Sequence, residues 1–320
     1  MHMLDVVGLT KTFRSGFLKH RRVVAVDNVS FSMDKGEFVS LLGESGSGKT
    51  TLARLILRLT WPDTGRVLFE GQDVFSLKGS ELKWYRRKVQ AVFQDPYVTF
   101  NPFYKVDRAL KVAVKKFLSV DDPMDVIHKV LVDVRLNPDE VLGRYPHQLS
   151  GGQLQRMLIA RALIPKPELL IADEPISMID MSLRVDILNL LRDLGEKYNM
   201  AILMITHEAN MAFYASDKVI IMHRGKFVEM GNADEISSNP LHPYTHLLVE
   251  AMPRAERNFE RKLVRVSREK ELSLAGRETV SGCRFYPRCP YATSICREKE
   301  PPLEEIKKDH LVACWLYTRG

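Results

Sequence analysis

Cysteine is missing from the first 282 residues of this 320-residue chain, and all four that it has fall in the last 38. A disulfide framework for the main body is thereby excluded, and its fold must come from a hydrophobic core. No apolar run reaches the roughly 18 residues that a membrane-spanning helix needs, so the chain is not expected to cross a bilayer by itself. The opening stretch "MHMLDVVGLTKTF" lacks a charged leader, an apolar core and a small-residue cleavage site, which points to a cytoplasmic protein. The main body also lacks a basic excess. Of the net charge of +7, the segment from Arg254 to Gly320 carries +5, with fifteen Lys or Arg against ten Asp or Glu, and the rest only +2. Nothing there asks for nucleic acid, and the charged tail reads as a solvated segment, with a surface for phospholipid or RNA as the alternative. What is present is ordinary for a soluble globular protein, 45% hydrophobic and 27% charged, in a length that suggests two parts.

Short apolar runs mark buried strands: "EFVSLLG" (37–43), "VQAVFQ" (89–94), "ELLIAD" (168–173), "AILMIT" (201–206) and "KVIIMH" (218–223). Between them, "GKTTLARLILRL" and "LRVDILNLLRDLGEKY" place apolar residues at helical three- and four-residue steps. This alternation predicts an α/β domain with a mostly parallel central sheet. The segments "LDVVGLTKTF" and "VDNVSFSMDKGEF" read instead as an antiparallel N-terminal sheet. Strand signals vanish between about 100 and 165, which predicts an inserted helical subdomain. The pattern weakens after Gly231, and the reading is a main domain over 1–253 with a C-terminal extension over 254–320.

The stretch "GESGSGKTT", Gly43 to Thr51, fits G-x-x-x-x-G-K-[ST] after an apolar strand and at the start of a helix. Gly43, Gly46 and Gly48 allow a backbone whose N–H groups, with Ser45, Ser47 and Thr51, cradle phosphates at a positive helix end. Lys49 then reaches the terminal phosphates and the Thr50 hydroxyl a Mg²⁺ ion. In "ELLIADEP" a strand ends in two carboxylates: Asp173 suits the Mg²⁺ sphere, and Glu174 can act as general base on a water behind the γ-phosphate. A second anion-binding helix end follows Ser150-Gly151-Gly152, and a plain N-capped helix there leaves Gln153 unexplained.

Together these motifs resemble the ATP-binding cassette (ABC) ATPases, whose signature is "LSGGQ" at 149–153. The resemblance implies a phosphate-loop ATP-binding cassette over residues 4 to about 231. It also implies a dimer in which ATP lies between the phosphate loop of one cassette and Ser150, Gly151, Gly152 and Gln153 of its partner. Gln94 in "VFQDP" is placed like the lid glutamine that touches Mg²⁺ and the attacking water, Asp180 in "SMID" like the loop crossing the dimer, and His207 in "ITH" like the switch histidine. Phe13 in "TKTF" is placed like the aromatic residue that stacks on adenine, where tyrosine is more frequent, and Met178 and Ile179 replace smaller or leucine side chains.

An interval of about 100 residues between phosphate loop and signature leaves no room for the long coiled coil of DNA-repair relatives, and the single cassette does not fit tandem translation-factor relatives. Transport is the expected role. "QDP...NP", "NPLHPYTHLLVEAMP" (239–253) and "GCRFYPRCPYATSIC...HLVACW" are similar to ATPase subunits of oligopeptide and dipeptide importers. That resemblance implies a related second ATPase forming a heterodimer, two transmembrane permease subunits, an external solute-binding protein, and a peripheral place on the cytoplasmic face of the membrane. The solute itself is open among peptides, oligosaccharides and nickel, and a soluble ATPase outside transport is the weaker alternative. In the aromatic stretch "VFQDPYVTFNPFYKV", Phe93, Tyr97, Phe100, Phe103 and Tyr104 suggest a loop with a large contact area, which in the family receives a short cytoplasmic helix of the membrane subunit.

Cys283, Cys289, Cys296 and Cys314 are spaced C-x5-C-x6-C-x17-C. In a reducing setting four thiolates suit tetrahedral zinc or an iron–sulfur cluster, with His310 as a possible replacement ligand. The importer resemblance favours a [4Fe–4S] cluster over zinc, as a metal staple for a small extension poor in apolar residues.

Overall fold

The structure is a computed structural model that describes residues 2–15, 21–120, 122–252 and 281–318. The expected boundary near Pro253 and the charged residues up to 280 lie outside that range. Strands are β1 (Leu4–Ser15), β2 (Arg21–Met33), β3 (Phe38–Leu42), β4 (Thr64–Phe69), β5 (Gln72–Asp73), β6 (Val89–Val92), β7 (Leu169–Asp173), β8 (Ala201–Thr206), β9 (Lys218–His223), β10 (Lys226–Asn232), β11 (Glu304–Lys307) and β12 (His310–Val312). Helices are α1 (Lys49–Ile56), α2 (Gly79–Lys88), α3 (Pro96–Thr99), α4 (Asp107–Phe117), α5 (Pro123–Asp133), α6 (Pro138–Val141), α7 (Gly151–Leu163), α8 (Met181–Tyr198), α9 (Ala209–Ala215), α10 (Ala233–Ser238), α11 (Pro243–Glu250) and α12 (Ser294–Glu298). The chain forms two compact units, one of Met1–Lys11, Asn28–Val39 and Thr50–Thr206, the other of Thr12–Asp27, Ser40–Lys49 and His207–Gly320.

The first unit combines the two sheet types read from the sequence. Strands β6, β7 and β8 run parallel, with Ala91 opposite Ile171 and Ile171 opposite Leu203. Every residue of β7 and β8 is buried, as continuous apolar strands covered on both faces must be. The antiparallel sheet has the order β2-β1-β4-β5, with Leu4 opposite Phe69 and Thr10 opposite Thr64. Helices α4, α5 and α7 pack against one another. The start of α5 shows why it begins where it does: the Asp122 carboxylate accepts the Met124 N–H at 2.7 Å, and Pro123 opens the helix. Nearly every α7 side chain from Leu154 to Leu163 is buried, so this helix is a central strut. Helix α8 stops at Asn199, whose φ of +47° makes the left-handed cap.

In the second unit β9 and β10 form an antiparallel hairpin, β12 adds to β10 and β11 to β12. The weak pattern after Gly231 therefore conceals two further strands, short ones whose partners are distant in sequence. A core gathers Leu42, Val219, Ile221, Ile236, Tyr244 and Phe285, with Cys283 and Cys289 packed against it. Leu241, Val312 and Cys314 form a smaller cluster. The extension is thus anchored by Phe285 and β12, so its apolar residues are shared with the main body rather than assembled into a core of their own.

Candidate nucleotide site

In the second unit, β3 delivers Gly43 to a loop that closes on itself. The Lys49 ammonium donates to the carbonyls of Gly43 at 2.6 Å and Glu44 at 2.9 Å, and the Ser47 N–H donates to the Glu44 carbonyl at 3.1 Å. Lys49 and Ser47 are buried, Ser45 and Gly46 exposed. Gly48 has φ +110°, and a Cβ there would run into the Ala25 carbonyl. Gly43 is equally confined by the Met222 carbonyl, whereas Gly46, at φ +78°, has open space beside it. Only glycine suits Gly48, on both steric and conformational grounds. A buried ammonium ringed by loop backbone at a helix start is an anion-binding arrangement. Phe13 is exposed on β1, and His207 is exposed directly after β8.

In the first unit, the Thr50 hydroxyl lies 3.5 Å from Oδ1 of Asp173 at the buried end of β7. A hydroxyl and a carboxylate so paired are hard oxygen donors of the kind Mg²⁺ takes. Thr51 follows on α1. Glu174 adopts φ +48°, a left-handed conformation that costs a side-chain-bearing residue on the order of 1 kcal/mol. Its N–H donates to the Ile205 carbonyl at 2.8 Å, and its carboxylate oxygen Oε2 accepts from the Gln94 amide at 2.9 Å. The turn thereby holds the carboxylate against Gln94, 80 residues away in sequence.

Ser150 caps α7. Its hydroxyl accepts the Gln153 N–H at 3.2 Å while the Gln153 side chain accepts the Ser150 N–H at 3.0 Å. This reciprocal capping box corrects the expectation that a capped helix leaves Gln153 without explanation. Gly151 and Gly152 stand close to the Met178 carbonyl and Leu183. Asp180, at the start of α8, is exposed and makes no side-chain cap. Of the aromatic stretch, Phe100 is buried, while Phe93, Tyr97, Phe103 and Tyr104 are exposed. A groove of about 470 Å³ runs between Phe103, Tyr104, Arg108, Val112 and Tyr145. The Arg108 guanidinium lies 3.6 Å from the Tyr104 ring centre, a cation–π contact.

Among the described residues no group of three or more His, Cys, Asp or Glu side chains is arranged to hold a metal ion, so the metal staple expected at Cys283, Cys289, Cys296 and Cys314 is not seen. The Cys283 N–H donates to the Cys296 carbonyl at 2.8 Å. Burial first, and then neighbouring thiols, push Cys283 up to about 11 and Cys314 up to about 12. Four cysteine thiols are, by their chemistry alone, a suitable donor set for zinc or an iron–sulfur cluster. His310, the possible replacement ligand, is buried with its Nε2 2.7 Å from Oε1 of the buried Glu229, which also accepts the N–H groups of Leu241 and His242.

The chain matches the ABC transporter family model over residues 26–177 and the oligopeptide/dipeptide transporter C-terminal region over residues 228–296. It is 39% identical to the oligopeptide transport ATP-binding protein AppF of Bacillus subtilis (strain 168), over 99% of this chain and 98% of that one. The chain belongs to the ATP-binding proteins of the oligopeptide/dipeptide ABC transporter family. Another member, the dipeptide transport ATP-binding protein DppF of Haemophilus influenzae, is 36% identical over 98% of this chain and 96% of its own. Among solved structures, the dimeric ATP-binding cassette MJ0796, in a post-hydrolysis state bound to ADP and Pi, superposes with a TM-score of 0.64 at 29% identity. It covers 72% of this chain and 99% of that one. As an ABC ATPase, this chain hydrolyses ATP in service of transport. No described helix is long and apolar enough to cross a membrane.

Proposed function

We propose that this protein is an ATPase subunit of an importer for oligopeptides or dipeptides. The observation that carries the reading is the presence, on one chain, of the cassette region and the peptide-transporter C-terminal region, with near full-length similarity to peptide transport ATP-binding proteins. The same machinery serving oligosaccharides or nickel is the alternative cargo.

In this reading Phe13 stacks on adenine, and Gly43, Ser45, Gly46, Ser47, Gly48, Lys49 and Thr51 bind the phosphates. Thr50, Asp173 and Gln94 would hold Mg²⁺, which supplies charge opposite the phosphoryl oxygens. Glu174, held by Gln94, orients and deprotonates water, and His207 hydrogen-bonds the γ-phosphate as the water attacks. Ser150, Gly151, Gly152 and Gln153 act in trans on the partner's ATP, and Asp180 lies on the loop that crosses the dimer. The capping box supports this reading, because it leaves the signature backbone fixed before any partner arrives.

The working complex is a heterodimer with a related ATPase, two transmembrane permeases and an external solute-binding protein, with this chain peripheral on the cytoplasmic face. The exposed aromatic groove beside Tyr104 receives a short helix of a permease. The four cysteines take a [4Fe–4S] cluster or, as the alternative, zinc, either of which would tie together the turns around Cys283, Cys289, Cys296 and Cys314. Metal analysis of anaerobically purified protein tests this: absorbance near 400 nm with iron supports the cluster, stoichiometric zinc without iron refutes it, and the absence of both refutes any metal there.

The function is tested by copurification and by ATP hydrolysis of the assembled complex. Peptide delivered by the solute-binding protein should stimulate turnover, and recovery of no membrane partner would sink the importer reading. Glu174→Gln should keep ATP binding, lower turnover by about 10²–10⁴-fold and trap the closed dimer. Near-normal hydrolysis would show that Glu174 is not the base.

A further inference from the structure

The Cys-rich segment reaches the phosphate loop within the second unit. Arg288, in the turn Tyr286–Arg288 between Cys283 and Cys296, places one guanidinium nitrogen 2.9 Å from both carboxylate oxygens of Glu44. Glu44 is the residue after Gly43, inside the phosphate loop. Its remaining polar groups are also engaged: the N–H donates to the Tyr244 hydroxyl at 3.0 Å, and the carbonyl accepts from Lys49 and from the Ser47 N–H. Four residues from three separate stretches of chain thus hold Glu44.

The grip is itself anchored. Phe285, buried at 1% exposure, sits beside the rings of Tyr244, His223 and His242 at 5.5 to 5.6 Å. On its other flank Arg284 pairs with Asp27 and donates to the Arg224 carbonyl. The adjoining Gly225 N–H donates to the Ser47 carbonyl at 2.7 Å. The short stretch from Arg284 to Arg288 therefore touches both sides of the loop's support.

We propose that Arg288 is a positioning residue for nucleotide binding, neutralising and holding the Glu44 carboxylate so that the phosphate loop presents its donors to a polyphosphate. The inference rests on the reading of Gly43–Thr51 as the phosphate loop. A carboxylate in such a loop repels the anion the loop must bind, and an unneutralised one weakens that binding. The Arg288 side chain is 15% exposed and that of Glu44 45%, so solvent and salt screen the pair only in part. The extension thereby becomes part of the nucleotide site without touching the nucleotide.

The experiment measures the affinity of the full-length chain for magnesium and adenylyl imidodiphosphate by calorimetry, and KM and kcat for ATP in the assembled complex. Arg288→Ala should weaken affinity about three- to tenfold and raise KM in parallel, with kcat at saturating ATP little changed. Adding Glu44→Gln to Arg288→Ala should recover most of the loss, because the repelling charge is gone. A merely structural role for Arg288 would give a loss that Glu44→Gln leaves untouched, and that result overturns the proposal. So does unchanged affinity in a folded Arg288→Ala chain. If Arg288→Ala does not fold, the charge-swapped pair Glu44→Lys with Arg288→Glu decides: affinity above that of Arg288→Glu alone supports the proposal, and no gain refutes it. Lys49→Ala serves as the separate control. Normal binding by that variant would refute the phosphate-loop reading itself, whatever Arg288 does.

Discussion

Lowering the pH from 7 to 5 should loosen the second unit through two buried histidines. Burial, reinforced by the charges of Arg224, Arg288 and His242, pushes His223 from the usual 6.5 down to about 3. Burial also lowers His242 to about 4, with His246 acting in the same direction and Glu229 opposing it. Both imidazoles are therefore neutral in the folded protein across this range, while their unfolded counterparts take up protons below about 6.5. The unfolded state binds more protons, so stability is full above 6.5 and falls as pH drops toward the folded values. At about 1.4 kcal/mol per tenfold difference in proton affinity, each histidine costs about 2 kcal/mol at pH 5, or about 4 kcal/mol for the pair. Carboxylates held low by lysine or backbone donors, such as Asp107 and Asp133, begin to contribute only below about pH 4. Urea denaturation at the two pH values measures the loss. His223→Phe, which keeps a ring against Tyr244 and Phe285, should remove about half of it, and His242→Asn should remove most of the rest while keeping an N-cap for α11. Proton resonances of either imidazole that titrate near pH 6 in the folded protein would refute the reasoning.

Gly48→Ala should abolish nucleotide binding and cost several kcal/mol, because both the backbone conformation and the Ala25 carbonyl oppose a Cβ. Gly46→Ala, with open space, should cost only about 1 kcal/mol; thermal unfolding and calorimetric titration separate the two, and equal costs would contradict the loop geometry. Ser150→Ala should lower stability by about 1 kcal/mol by uncapping α7. Gln153→Glu keeps the capping box, so thermal unfolding should be unchanged, and any fall in the ATPase activity of the assembled complex then reports action across the dimer. Thr50→Ala should raise the magnesium concentration needed for half-maximal hydrolysis, and an unchanged requirement would remove its hydroxyl from the metal site.

Features carried by contiguous residues were legible in the sequence. Buried strands β7 and β8 announce themselves as unbroken apolar runs, and of the glycines in Gly43–Thr51, Gly43 and Gly48 stand where a Cβ would meet backbone. Gln153 shows the limit in the other direction: a conspicuous motif residue has a local partner three positions away that could have been read from the capping-box spacing. What could not be read was pairing over long sequence separations. Glu44 and Arg288 are 244 residues apart, and neither is unusual in its own segment. The strands after Gly231 escaped because β12 has only three residues and owes its conformation to β10. The pairing of His310 with Glu229, 81 residues away, belongs to the same class of contact that the sequence does not show.

That carboxylate also explains why the extension belongs to the same compact unit as the phosphate loop. Glu229 is fully buried on β10 and would be costly there without donors. It receives them from His310 on β12 and from the N–H groups of Leu241 and His242, just before α11. β12 lies against β10 at that very point, with Glu229 opposite Val312. The His242 ring in turn caps α11 by accepting the Tyr244 N–H at 3.0 Å, and the Tyr244 hydroxyl accepts the N–H of Glu44. A continuous path of hydrogen bonds thus runs from the last strand of the extension to the second residue of the phosphate loop. Removing the extension would leave a buried carboxylate one donor short, strip β10 of β12 while leaving β9, and withdraw Phe285 and Arg288 together. The match to the peptide-transporter C-terminal region starts at residue 228, inside β10.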